Sequence, residues 1–190
     1  MNRPATLLVL LLAGLLAGCG GGSRPTGIRA AETPADDVAE YQPRWRSHTV
    51  DSTQYRKVFL AGTIDMGRSS DWQAALVARL RDSIGGRWLF FNPRRREFHA
   101  SPAEMEYQVA WELAHLEAAD LIVMNLLGDS RSPISLLEMG LYARSGKLFV
   151  ACSPDYYRYD NVRITCRRYG VPLYDSLTAL LDDLPQQSDE

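Results

Sequence analysis

Between residues 57 and 184, short apolar runs alternate with segments whose apolar residues recur every three or four positions. This is the pattern of strands separated by helices. Lys57–Gly62 is a buried strand ending in glycine. Asp71–Ser83 is a helix with Trp72, Leu76, Val77 and Leu80 on one face, stopped by Gly85-Gly86. Arg87–Phe91 is a second strand, closed by Asn92-Pro93. Ser101, Pro102 and Glu104 have the spacing of a capping box, and the helix they open carries Met105, Val109, Leu113 and Leu116 on one face. Asp120–Leu127 is nearly all apolar and is read as the central strand. Ser132-Pro133 opens a helix that Gly146 ends, with Ile134, Leu137 and Leu141 as the stripe against the sheet. Lys147–Cys152 and a short Val171–Tyr174 complete five strands, and Ser176–Leu184 is a last helix. Five strands joined through helices predict a parallel sheet with right-handed crossovers. Ligands then sit at the carboxyl ends of the strands, on loops 62–71, 92–101, 127–133 and 152–170.

The N-terminus reads differently. Arg3 precedes a continuously apolar run over residues 5–17, too short for a transmembrane helix and suited to a secretory signal. It ends Leu16-Ala17-Gly18-Cys19, which resembles the bacterial lipobox. That resemblance implies a signal peptide over 1–18, lipidation of Cys19 and an anchor in the cell envelope. Gly20 after the cysteine points to the outer membrane. Residues 20–55, with Gly20-Gly21-Gly22-Ser23 and Pro25, Pro34 and Pro43, read as a flexible tether on which Trp45 docks back. The domain then runs from 56 to 190.

The net charge of −2 becomes −3 without residues 1–18, which hold Arg3 and no acid. A chain of that charge offers no basic field for a nucleic-acid polymer. Cys152 and Cys166 read as small buried hydrophobes, with pairing in an oxidising compartment as the alternative. His48, His99 and His115 are scattered, and His115 reads as structural. There is no glycine-rich dinucleotide fingerprint, phosphate-loop lysine, paired-histidine zinc motif or nucleophilic serine elbow. Carboxylates remain as the catalysts. Glu138 follows Ile134 by four and borders the helix stripe, where a carboxylate is costly unless used or paired. Residue physics alone leaves it either a working group or a solvent-facing glutamate. Arg94-Arg95-Arg96 reads as a solvated basic turn, with phosphate attraction as the alternative.

Phe59-Leu60-Ala61-Gly62-Thr63-Ile64-Asp65-Met66-Gly67, then Phe91-Asn92-Pro93, Trp111-Glu112 through Ala119-Asp120, and Ser132 through Gly140 resemble the nucleoside 2-deoxyribosyltransferase family in its broad sense. The resemblance spans about 56–182. It implies a flavodoxin-like three-layer α/β sandwich and cleavage of an N-glycosidic bond, by transfer or hydrolysis, without metal or organic cofactor. Glu138 matches the nucleophile and Glu112 the acid/base, in place of the transferases' Asp. Gly62, Thr63, Asp65, Arg68, Ser132 and Ser135 fall at substrate-binding positions. Ser132 is the residue found in the monophosphate-hydrolysing relatives and, at a helix start, suits a 5′-phosphate. Phe59 stands where the family often has a Tyr that steers the nucleophile. Asp120 opens its strand at the far end and reads as structural. The implied partners are a nucleoside or nucleotide, the membrane through the lipid, and further copies of the chain. The alternative is an envelope lipoprotein that binds nucleotides without chemistry.

Overall fold

A computed structural model describes residues 37–83, 85–97, 99 and 101–184. The signal peptide, Cys19 and the first part of the tether lie outside the described residues. The described strands are β1 (Val38–Gln42), β2 (Trp45–Arg46), β3 (Arg56–Gly62), β4 (Trp88–Phe91), β5 (Leu121–Leu126), β6 (Leu148–Cys152) and β7 (Leu173–Tyr174). The helices are α1 (Trp72–Ser83), α2 (Pro102–Ala118), α3 (Pro133–Tyr142), α4 (Tyr159–Tyr169) and α5 (Leu177–Asp183). The sheet order is β2-β1-β4-β3-β5-β6-β7, parallel throughout except for β2. From β4 to β7 this is the flavodoxin-like order, with the reversal of winding between β3 and β5.

Two apolar layers flank the sheet. Val58, Leu60, Trp88, Phe90 and Val123 pack against Trp72, Leu76 and Val77 of α1 and Leu180 and Leu181 of α5. Phe59, Phe91, Ile122, Met124 and Val150 pack on the other side with Leu116 of α2, Met139 of α3, and Val162 and Cys166 of α4. Cys152 and Cys166 are buried and unbonded.

Four expectations need correction. The sheet has seven strands, not five. Residues 38–46, read as tether, form a hairpin on the β4 edge in which Pro43 and Arg44 make the turn, Arg44 at a left-handed φ of 62°. Proline thus ended a strand rather than excluding one. Residues 159–169, read as loop, form α4. Val162 and Cys166 are its buried residues, with Tyr159 partly buried against the same core, too small an apolar signal to stand out, and left-handed Gly170 ends it. The third correction is to α3. Ile134, Leu137 and Leu141 are 57–61% exposed, and its inward face is Ser135, Glu138 and Met139. Likewise Met105, Val109 and Leu113 of α2 are 44–49% exposed, and Leu116 alone of that predicted stripe is buried. Finally, the arginine run is solvated only at Arg96. Arg94 is buried, Arg95 pairs with Glu104, and Arg96 lies over the Trp45 ring at 3.7 Å.

Candidate active site

The carboxyl ends of β3 and β5 meet through Gly62. A Cβ on Gly62 would stand 2.2 Å from the Asn125 carbonyl oxygen, and its φ is 124°, so a side chain there is excluded twice over. Close approach lets the Thr63 amide donate to the Asn125 carbonyl at 2.9 Å. The Thr63 side chain is then fully buried and receives the Leu127 amide at 3.1 Å.

From Thr63 a chain of hydroxyls crosses between the two loops. Thr63 Oγ1 lies 2.9 Å from Ser132 Oγ, Ser132 bonds Ser130, and Ser130 donates to Asp65 Oδ1 at 3.2 Å. A carboxylate only accepts, and each hydroxyl has one proton. The consistent arrangement is therefore Thr63 donating to Ser132, Ser132 to Ser130, and Ser130 to Asp65. Ser132 precedes α3 in the left-handed region, at φ 38°, and makes no side-chain cap. Its hydroxyl ties the β5–α3 loop to the β3–α1 loop instead. The Tyr156 hydroxyl adds a bond of 2.7 Å to the Arg131 carbonyl, fixing the same loop from the β6 side.

The β3–α1 loop is strained and clamped. Asp65, Met66 and Gly67 have φ of 50°, 58° and 82° in succession. The Arg94 guanidinium reaches in from the β4–α2 loop. It donates to the Ser69 hydroxyl at 2.9 Å, the Ser70 carbonyl at 2.9 Å and Gln73 Oε1 at 3.2 Å, with Asp71 at 3.5 Å. A buried cation so surrounded holds a backbone conformation that non-glycine residues otherwise avoid. Arg68 is exposed beside this loop.

Beneath the loops, α3 turns Glu138 inward. The residue is 8% exposed, and its carboxyl has no hydrogen-bond or ion-pair partner among the described residues. Burial, and secondly the charge of Glu112, push its pKa up to about 8. Glu112, half-buried on α2, is also raised by burial, and the Gln108 amide pulls the other way through a bond of 2.7 Å. Phe59 lies fully buried on the same sheet face, 6.2 Å from the Trp111 ring. His115 stacks on Trp111 and bonds its carbonyl, a structural use. Asp120 accepts the Lys57 amide at 2.8 Å at the opposite end of its strand, also structural.

The family model described as "Nucleoside 2-deoxyribosyltransferase like" matches residues 55–156. The chain belongs to the nucleoside 2-deoxyribosyltransferase-like family. A crystal structure of a conserved protein from Enterococcus faecalis V583 superposes with a TM-score of 0.50 at 16% identity, covering 70% of this chain and 99% of that one. At that identity the likeness speaks for the fold alone. No curated protein matches the chain.

Within this family domain the structure joins Gly62, Thr63, Asp65 and Ser132 through one network, and turns Ser135 and Glu138 into the interior of α3. Glu112 faces Glu138 closely enough for its charge to be felt, whereas Arg68 stands apart on the rim. Sequence reasoning missed Ser130, Arg94 and Gln108. Gln108 was discoverable, four residues before Glu112 on one helix face. Nothing local marks Ser130 or separates Arg94 from its exposed neighbour Arg96.

Proposed function

We propose that this domain cleaves the N-glycosidic bond of a nucleoside or its 5′-monophosphate, with Glu138 as nucleophile and Glu112 as acid/base. The observation that carries the reading is a buried, unpartnered carboxyl on α3 facing a second raised carboxyl on α2. Such a group is costly to keep and chemically poised. Glu138 in its ionised form attacks the anomeric carbon. A C–O ester forms, the C–N bond breaks, and the base nitrogen takes the proton of Glu112. Water then gives a proton to Glu112, attacks the same carbon and frees Glu138, with net retention. A second base in place of water gives transfer. We favour hydrolysis, because an exported enzyme meets few acceptor bases.

A 5′-phosphate fits at the start of α3, where it draws the Ser132 proton away from Ser130 and meets the exposed Arg68. The reading uses no resident metal or organic cofactor. Cys19 carries the lipid, on the periplasmic face of an outer membrane. The exposed apolar stripes of α2 and α3 bracket the two glutamates in sequence, and a second copy seated there gives the homo-oligomer.

One observation favours a second reading, a nucleotide-binding lipoprotein without chemistry. Phe59 is fully buried where the family often has a Tyr, so the nucleophile lacks that hydroxyl. The test incubates the purified chain, and Glu138→Gln beside it, with nucleosides and their 5′-monophosphates, with and without free bases. Base released or exchanged by the native chain only supports the enzyme. Two inert proteins whose melting temperature a nucleotide raises support the binding module, and Phe59→Tyr becomes the variant to assay.

A further inference from the structure

A buried carboxyl, Glu138, and a half-buried one, Glu112, whose charge reaches it, cannot both ionise easily, so one proton stays with the pair over a wide pH range. Which residue holds it decides whether the pair is ready to react. The surroundings are unequal. The Gln108 amide nitrogen donates to Glu112 Oε1 at 2.7 Å and to the Pro93 carbonyl at 3.0 Å. Both partners are acceptors, so the amide can only present its nitrogen to them. Its own Oε1 is buried and has no partner. The amide is thus pinned by the rigid Asn92-Pro93 turn on one side and spends its other hydrogen on Glu112. Glu138 receives no comparable donor.

We propose that Gln108 is a positioning residue that fixes the Glu112 carboxyl and assigns the proton of the pair to Glu138 in the resting protein. This rests on the reading of the two glutamates as the reacting pair. The groups facing the pair are Gln108 on the helix of Glu112 and, beside Glu138 on α3, Tyr142, whose hydroxyl donates to Glu117. His115, one turn further along α2, spends Nδ1 on the Trp111 carbonyl. A donor to an ionised carboxylate stabilises that form, so Glu112 ionises first, and its charge then holds the proton on Glu138. The reactive arrangement is the reverse, with Glu138 ionised and Glu112 protonated. Substrate binding must therefore bring the proton across. A protonated Glu112 still accepts the Gln108 amide at its carbonyl oxygen, so the anchor on the Pro93 carbonyl is kept. The proton moves from Glu138 to Glu112, with no change in net charge and no external acid.

The test needs no substrate. The purified chain is made with 13C-labelled glutamate carboxyls, and Glu112 and Glu138, assigned by their Gln variants, are titrated by NMR. The native protein is expected to show Glu112 ionising at lower pH than Glu138. In Gln108→Met the Glu112 midpoint rises by about one pH unit, the worth of one hydrogen bond to a charge, and the Glu138 midpoint falls. Gln108→Asn, too short to span both acceptors, gives the same direction should the Met variant fold poorly. Unchanged midpoints in both variants, or Glu138 ionising first in the native protein, overturn the proposal. Should the midpoints move as expected while no base is ever released, the assignment of Gln108 stands and the enzymatic reading falls.

Discussion

Glu138 on α3 is held near 8, well above the ordinary 4.5, by its burial and secondly by the charge of Glu112 on α2. The consequence for stability has a definite sign. A carboxyl raised in the folded state binds its proton more tightly there than in the unfolded chain. Its contribution is fully present below about pH 4.5 and is lost as pH rises towards 8. Thermal melts of the native chain should therefore lose stability across that window. Glu138→Gln should flatten the slope and raise the melting temperature at pH 8.

Removing the charge of Glu112 should act on Glu138 in turn. In Glu112→Gln the Glu138 midpoint drops below about 8, and the alkaline limb of the pH profile for base release, which in the native pair marks the loss of its last proton, disappears. The rate falls by about 100-fold or more, because the departing base loses its proton donor. Stopped assays across pH, comparing kcat/KM of the two proteins, read both effects.

Gly62→Ala puts a methyl group into the Asn125 backbone at a φ of 124°. The expected loss is about 3 kcal/mol or more in urea unfolding, since neither strand end can retreat without breaking the Thr63–Asn125 bond.

Arg94→Met should release the β3–α1 loop. Several carbonyl and hydroxyl acceptors lose their donor, at about 2–4 kcal/mol, and limited proteolysis should cut first within residues 64–70. On the proposed reading, in which this loop binds the substrate, KM should rise more than kcat falls.

The apolar faces of α2 and α3 make a further prediction. Leu137→Glu places a charge in the exposed stripe, so the proposed oligomer should give way to monomers in sedimentation velocity while the fold, read by circular dichroism, is kept. A native chain already monomeric at micromolar concentration argues against the interface.

The inner architecture was legible where burial follows apolarity. Phe59, Leu60, Ile122, Val123 and Val150 lie on central strands, and the α1 stripe faces inward as its spacing predicts. The same rule misplaced α3. Ser135 and Glu138 point inward and Ile134, Leu137 and Leu141 outward, an inversion that pattern reading cannot see because it assumes polar residues seek water. Such inversions are expected at working sites and at interfaces. β1 was hidden behind Pro43, and α4 behind its arginines and tyrosines. Glu138 and Glu112 are proposed from the family motifs, and the burial of Glu138 is what the structure adds. The hydroxyl chain from Thr63 to Asp65 joins residues up to 69 apart in sequence, a distance no local pattern spans.

The proposed reaction passes through a covalent glycosyl ester on Glu138. The most direct measurement quenches the purified chain with acid during turnover of the nucleoside or monophosphate it cleaves fastest, then weighs its peptides by mass spectrometry. One sugar unit, phosphorylated if the substrate was, is expected on the peptide containing Glu138 and none in Glu138→Gln. Continued base release by Glu138→Gln, or a sugar found only on another residue, would contradict it.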